Sequence, residues 1–106
     1  MVSTCDWEVG RAVDFDWDPN KAKTNLAKHD VAFEEAEVVF ADRYALIEDD
    51  DGNDFEVRWR IIGLSASKIL FVVYTEIEDD VVRIISARKA TRHEQNRYYR
   101  QAPSQG

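Results

Sequence analysis

Cysteine is almost missing from this chain: Cys5 is the only one among 106 residues. A single thiol cannot close an internal disulfide, so burial and hydrogen bonding must hold the fold, and nothing points to an oxidising compartment. Histidine is nearly as scarce, with only His29 and His93 and no HExxH or CxxC spacing, so no metal site is expected. The four glycines form no phosphate-cradling loop, and no serine occupies a nucleophile elbow, which leaves no cofactor motif and none expected. The longest apolar run, Ile69–Tyr74, has six residues, far short of the roughly twenty that span a bilayer. Met1–Asp6 lacks the basic and apolar regions of a secretory leader. These absences lead us to expect a cytoplasmic protein without membrane contact.

What is plentiful is acid. The net charge of −7 argues against a nucleic-acid binder when taken as a whole. Its distribution changes that reading, although a solvated acidic surface with an ordinary basic last helix would give the same pattern. From Arg83 to the end the chain carries six basic residues and one acid, a net +5, while the first 82 residues carry −12. A basic end on an acidic body suits an anion-binding surface, or two faces that meet a partner.

The periodicity gives an α+β domain. A short strand over Asp14–Trp17 precedes a helix over Pro19–Lys28, for which Asp18 is a good N-cap and Pro19 a good first residue. Ala22, Leu26 and Ala27 are expected to face inward. A second helix over Phe33–Phe40 has an apolar stripe but a poor cap, because Ala32 stands where Ser or Thr would serve. The pattern then changes to alternation. Strands are expected over Tyr44–Glu48, Phe55–Gly63, Ile69–Glu76 and Val81–Ala87, with a hairpin turn at Asp51-Gly52 and a short loop over Leu64–Lys68. The acidic turns Asp49–Asp51 and Glu78–Asp80 read as solvated turns that protect strand edges. Thr91 and Glu94 form a capping box that starts a last helix reaching about Arg100. The expected architecture packs the helices on one face of a mostly antiparallel sheet of four to five strands. Residues 1–13 form an extension, 14–100 the domain and 101–106 a tail. The position of the first strand in the sheet does not follow from the pattern.

The candidate chemistry is cationic. Arg58 and Arg60 lie two apart on a strand and share a face, opposite Val57, Trp59 and Ile61. Arg88 ends the last strand, and Arg92 and Tyr99 are spaced to share a face of the final helix. Guanidinium groups on an open sheet face grip phosphate bidentately, and the competing reading is that they pair with surface acids. Lys28 and His29 end the first helix. A histidine there serves as a capping residue or, given its titration range, as a proton-transfer group.

Several of these segments together resemble the BrnT toxin family. They are Phe15–Ala22, Asn25–His29, Phe33–Ala36, Arg58–Gly63, Val72–Glu76 and Ile84–Glu94, in that order. The resemblance covers about Phe15–Tyr99. It implies a RelE-like ribonuclease toxin of a type II toxin–antitoxin pair, and with no metal ligands at usable spacing we expect a metal-independent endoribonuclease that inhibits translation. It also implies a BrnA-like ribbon-helix-helix antitoxin partner, an RNA substrate, and contact with operator DNA only through the antitoxin. Two positions depart from the family pattern. Asp30 replaces the glycine after Lys28-His29, and Ala32 replaces a serine before Phe33.

Metal-free RNA cleavage needs a base for the 2′-hydroxyl, cations for the phosphorane and an acid for the leaving oxygen. His29, Arg58, Arg88 and Tyr99 are the candidate catalytic residues, with Arg58 and Arg88 on the phosphate. Lys28, Arg60, Arg92 and Tyr98 are candidates for RNA binding, and either tyrosine could donate a proton or stack on a base. The rival reading is a non-catalytic binding module that partners an antitoxin-like DNA-binding protein in autorepression, which suits the net charge better. The expected toxin–antitoxin complex is 2:2, because ribbon-helix-helix domains are dimers.

Overall fold

The structure is a computed structural model that describes residues 14–50, 57–78 and 80–101. Eight elements follow in order: β1 (Asp14–Asp16), α1 (Pro19–His29), α2 (Phe33–Val39), β2 (Leu46–Asp50), β3 (Arg58–Ser65), β4 (Lys68–Glu78), β5 (Val81–Lys89) and α3 (Arg92–Gln101). The five strands make one sheet in the order β1-β5-β4-β3-β2. The last four form an antiparallel meander, whereas β1 lies parallel to β5, with Asp14 opposite Val81. The first strand therefore takes an edge of the sheet.

The helices occupy both faces of the sheet, not one. Alternation along β3 and β4 sends Ile61, Val72 and Tyr74 into a core closed by Phe33, Ala36, Val39 and Phe40 of α2, with Phe15 and Trp17 packed against it. Phe40 meets the rings of Phe15 and Tyr74 edge-on at 5.2 and 4.9 Å. On the other face Ile62 and Ile69 pack with Ala90 and Tyr98, flanked by Leu46 and Phe71. The reason lies in the strands themselves: Ile61-Ile62 and Ile69–Val73 are apolar on both sides, so each face needs a cover. α3 supplies the second one. Gly63 lies beneath α2, where a Cβ would come within 2.8 Å of Val39 Cγ1. The absence of a side chain there sets how closely α2 approaches the sheet.

The helix ends follow local chemistry. Asp18 accepts the Asn20 N–H at 2.9 Å and opens α1. Asp30 closes it in the left-handed region (φ 60°), donating its N–H to the Leu26 carbonyl at 2.9 Å, a conformation that Asp tolerates. Ala32 has no capping side chain, but Glu35 still accepts the Ala32 N–H at 2.9 Å, so half of a capping box survives. In α3 the box is complete: Thr91 N–H donates to Glu94, and Glu94 N–H to the Thr91 hydroxyl.

Some boundaries differ from expectation. The loop expected over Leu64–Lys68 is a tight turn, with Ser65 paired to Lys68 and Ala66 at φ 56°. β2 begins at Leu46 because Asp42 holds the preceding turn, accepting the Tyr44 N–H at 2.9 Å. Gln101 belongs to α3 and not to the tail. On α1 the buried residue is Asn25, while Leu26 and Ala27 are exposed. The Asp51-Gly52 turn, Phe55-Glu56, the extension 1–13 and residues 102–106 lie outside the described residues.

Candidate functional site

The strand register places the arginines. Asp50 pairs with Arg58 and Glu48 with Arg60 between β2 and β3. Arg60 lies opposite Val73, which lies opposite Ser86, and Ile62 lies opposite Phe71, which lies opposite Arg88. Since Ile62 and Phe71 face α3, strand alternation puts Arg58, Arg60, Ser86 and Arg88 on that same face. The sequence-based expectation of Arg58 and Arg60 turned away from Trp59 and Ile61 holds. The face is shared between α3 at one end and a cationic strip at the other.

Arg60 and Arg88 are held by acids. Arg60 Nε lies 3.1 Å from Glu48, and its Nη1 lies 3.9 Å from Asp50. Arg97 of α3 pairs with the same Glu48. Arg88 makes a two-pronged contact with Glu94, 2.9 Å at each nitrogen, and lies 4.0 Å over the Phe71 ring. That hydrogen-bonded guanidinium, helped by the Thr91 N–H, holds the Glu94 carboxyl below the usual carboxylate range despite partial burial. Arg58 is half-buried at the end of the strip.

α3 separates its two tyrosines. Tyr98 is 5% exposed and donates its hydroxyl to Asp42 at 2.6 Å. Burial and the neighbouring carboxylate push its pKa far up. The expectation that Tyr98 contacts RNA is corrected here: a ring packed on Ile62 and Ile69 offers no face for stacking. Its inward place follows from helix geometry, since Glu94, Arg97, Tyr98 and Gln101 fall at the i, i+3, i+4, i+7 positions of the face toward the sheet. Tyr99 is 58% exposed, with its ring edge-on to Tyr98 at 5.3 Å. Arg92 is exposed and, seven residues earlier, on the same side of α3 as Tyr99.

Lys28 and His29 are exposed in the last turn of α1. They line a cleft against Ile85 and Ser86 of β5. What holds α1 at that strand edge is Asn25. Its side-chain amide donates to the Ala87 carbonyl at 2.8 Å and to the Val31 carbonyl at 3.0 Å, and it accepts the Ala87 N–H at 3.1 Å. The amide thus takes the place of a neighbouring strand for one residue of β5. The sheet face gathers Arg58, Arg60 and Arg88, and the edge of β5 holds Lys28 and His29. No hydrogen bond or ion pair among the described residues joins His29 to those arginines.

Sequence reasoning missed Asn25, Asp42 and the pairing of Glu94 with Arg88. A polar residue on the inward stripe of α1 was the available signal for Asn25. For Asp42 the local turn onto the Tyr44 N–H was the available signal, whereas its acceptance of the Leu64 N–H (2.9 Å) and the Tyr98 hydroxyl depends on tertiary contacts. Among the described residues no group of three His, Cys, Asp or Glu side chains is placed to hold a metal ion. No described helix is long and apolar enough to cross a membrane.

Residues 17–94 match the model of a family described as the ribonuclease toxin BrnT of type II toxin–antitoxin systems. The chain belongs to the BrnT family. A type II toxin is one half of a pair, so this BrnT-family toxin has an antitoxin partner. The 1.1 Å crystal structure of the Brucella abortus ribonuclease toxin BrnT matches with a TM-score of 0.62 at 24% identity, covering 76% of this chain and all of that one. The likeness shows a shared α+β fold. A comparison with curated proteins finds no match. Both departures from the BrnT pattern are absorbed locally, Asp30 by its left-handed cap and Ala32 by Glu35.

Proposed function

We propose that this BrnT-family toxin is a metal-independent endoribonuclease that cleaves RNA in the cytoplasm and thereby inhibits translation. The observation that carries the reading is the register: Arg58 and Arg60 of β3 and Arg88 of β5 lie on one sheet face, beside a helix that presents Arg92 and Tyr99. By the register Arg88 is level with Ile62, so Arg58 stands four residues along the sheet and two strands across, roughly 16 Å away at the backbone; extended side chains reach a phosphodiester lying between them from opposite sides.

In the proposed reaction the 2′-oxygen attacks the adjacent phosphorus as its P–O5′ bond breaks. The products are a 2′,3′-cyclic phosphate and a free 5′-hydroxyl. His29 takes the proton from the 2′-hydroxyl, and Tyr99 protonates the leaving 5′-oxygen. Arg58 and Arg88 stabilise the added negative charge, which is strongest in the phosphorane-like transition state. Lys28, Arg60 and Arg92 hold flanking phosphates. A ribbon-helix-helix antitoxin of the BrnA kind silences the toxin by covering this face in a 2:2 complex, and operator DNA is met only through it.

The ion pairing of Arg60, Arg88 and Arg97 favours a second reading, a non-catalytic module for antitoxin binding and autorepression. One experiment separates the two. Purified toxin incubated with RNA in excess EDTA should yield fragments ending in 2′,3′-cyclic phosphate. Arg58→Ala and Arg88→Ala should each lower that rate at least 100-fold, on the scale of losing one charge-stabilising group. No cleavage by the native chain would leave the binding module. Cleavage lost on chelation and restored by Mg²⁺ would overturn the mechanism.

A further inference from the structure

Arg60 and Arg88 of the sheet face are compensated, and among the described residues the cations of α1 form no ion pair. Arg60, Arg83, Arg88 and Arg97 each have a carboxylate within ion-pair distance. None of the ion pairs among the described residues involves Lys21, Lys28 or His29. These three converge with Thr24 on an open cleft of about 290 Å³ between α1 and β5, whose far wall is Ile85 and Ser86. Among the described residues that line it there is no acid, although acids outnumber basic residues 21 to 14 in the chain. A concave site lined by cations and hydroxyls concentrates positive potential.

The cleft is also built to keep its shape. Lys21, Thr24 and Lys28 follow the i, i+3, i+7 spacing of one helix stripe. The three hydrogen bonds of Asn25 lock that helix to Ala87 and Val31. Ser86 is two residues from Arg88 and on the same sheet face, so the cleft opens at the margin of the arginine strip.

We propose that this cleft is an RNA-backbone subsite, in which Lys21, Thr24 and Ser86 hold a phosphodiester next to the one being cleaved. The proposal rests on the ribonuclease reading above and extends it with a direction: the RNA crosses the edge of β5 beyond its pairing with β1, over Ser86, before it reaches Arg88. Lys21 acts on a neighbouring phosphate, outside the reacting atoms.

The test uses the full-length toxin and a fluorescent RNA oligonucleotide made uncleavable by 2′-deoxy substitution, with anisotropy measured over a salt series. Lys21→Gln should weaken binding roughly five-fold at low salt and reduce the slope of log K against log salt by about 0.7, the share of one single-strand phosphate contact. Lys23→Gln removes the same charge from the same helix but outside the cleft, so it should leave the slope within error of the native value. Equal effects from both variants, or no effect from Lys21→Gln while the native chain binds RNA, would overturn the subsite and leave the ribonuclease reading standing. A native chain that neither binds nor cleaves RNA would overturn both.

Discussion

Tyr98 and Tyr99 are neighbours in the sequence and opposites in environment. Tyr98→Phe removes the hydroxyl bonded to Asp42 at 2.6 Å, and a hydrogen bond to a charged acceptor contributes about 1.5–3 kcal/mol. Urea denaturation should show a loss of that order, with the cleavage rate of the folded fraction unchanged. Tyr99→Phe should keep stability within about 0.5 kcal/mol, as exposed substitutions do, and slow cleavage. Equal cleavage rates for native toxin and Tyr99→Phe would remove Tyr99 from the acid role. Glu94 gives a pH signature at the same scale. Its carboxyl is held low, mainly by the Arg88 hydrogen bonds. A group whose folded pKa is depressed adds stability above its unfolded value and loses it as pH falls through the folded one. The thermal midpoint of native toxin should therefore exceed that of Glu94→Gln at pH 7. The gap should narrow as pH drops below about 4, where free carboxylates protonate. A gap constant from pH 7 to 3 would show that the Arg88–Glu94 pair contributes nothing ionic.

Among elements, α1 depends on one side chain. Asn25→Ala leaves the N–H and C=O of Ala87 and the Val31 carbonyl without their partner. Unsatisfied buried groups cost about 1–3 kcal/mol each, so with three of them a destabilisation of roughly 3 kcal/mol or more is expected by chemical denaturation. Asn25→Asp should not rescue it, because both donors are lost. A change below about 0.5 kcal/mol would show that water replaces the amide without penalty. Asn25 also marks the limit of what was legible. The meander, the capping box and the Asp18-Pro19 helix start could be read from alternation and local hydrogen-bonding chemistry. The side of the sheet that α3 covers was not: Ile61-Ile62 demands cover on both faces but does not say which helix provides which. The Ser65–Lys68 turn was hidden because Ala66, at φ 56°, is neither Gly nor Asn. The arginines were legible by residue type and spacing. Their acidic partners were not, since Glu48 and Glu94 reach them across strands or across a strand–helix junction.

For the whole molecule, charge is the organising quantity. The segment from Arg83 onward is +5 on a chain that is −7 overall, so a neutralising antitoxin should meet it with acidic residues. Encounter by complementary charge slows as salt rises. Light scattering of the co-purified pair should give a mass for two toxins and two antitoxins. Association rates should fall steeply between low and physiological salt. A complex that leaves Arg88 and Arg92 open to solvent, or one that still cleaves RNA at full rate, would contradict inhibition by covering.

The parallel pairing of β1 with β5 has a kinetic consequence. The Asp16–Arg83 contact joins residues 67 positions apart, and the Asn25–Ala87 contact spans 62. Hairpins of the β2–β5 meander close over short loops, whereas contacts at such separation form late and slowly. During synthesis, α1 leaves the ribosome before β5 exists, and its Asn25 waits for a partner 62 positions further on. The surface proposed for RNA needs β3, β5, α1 and α3 together, so on that proposal a growing chain lacks it until α3 has been made. The topology itself thereby sets a delay between making this toxin and arming it.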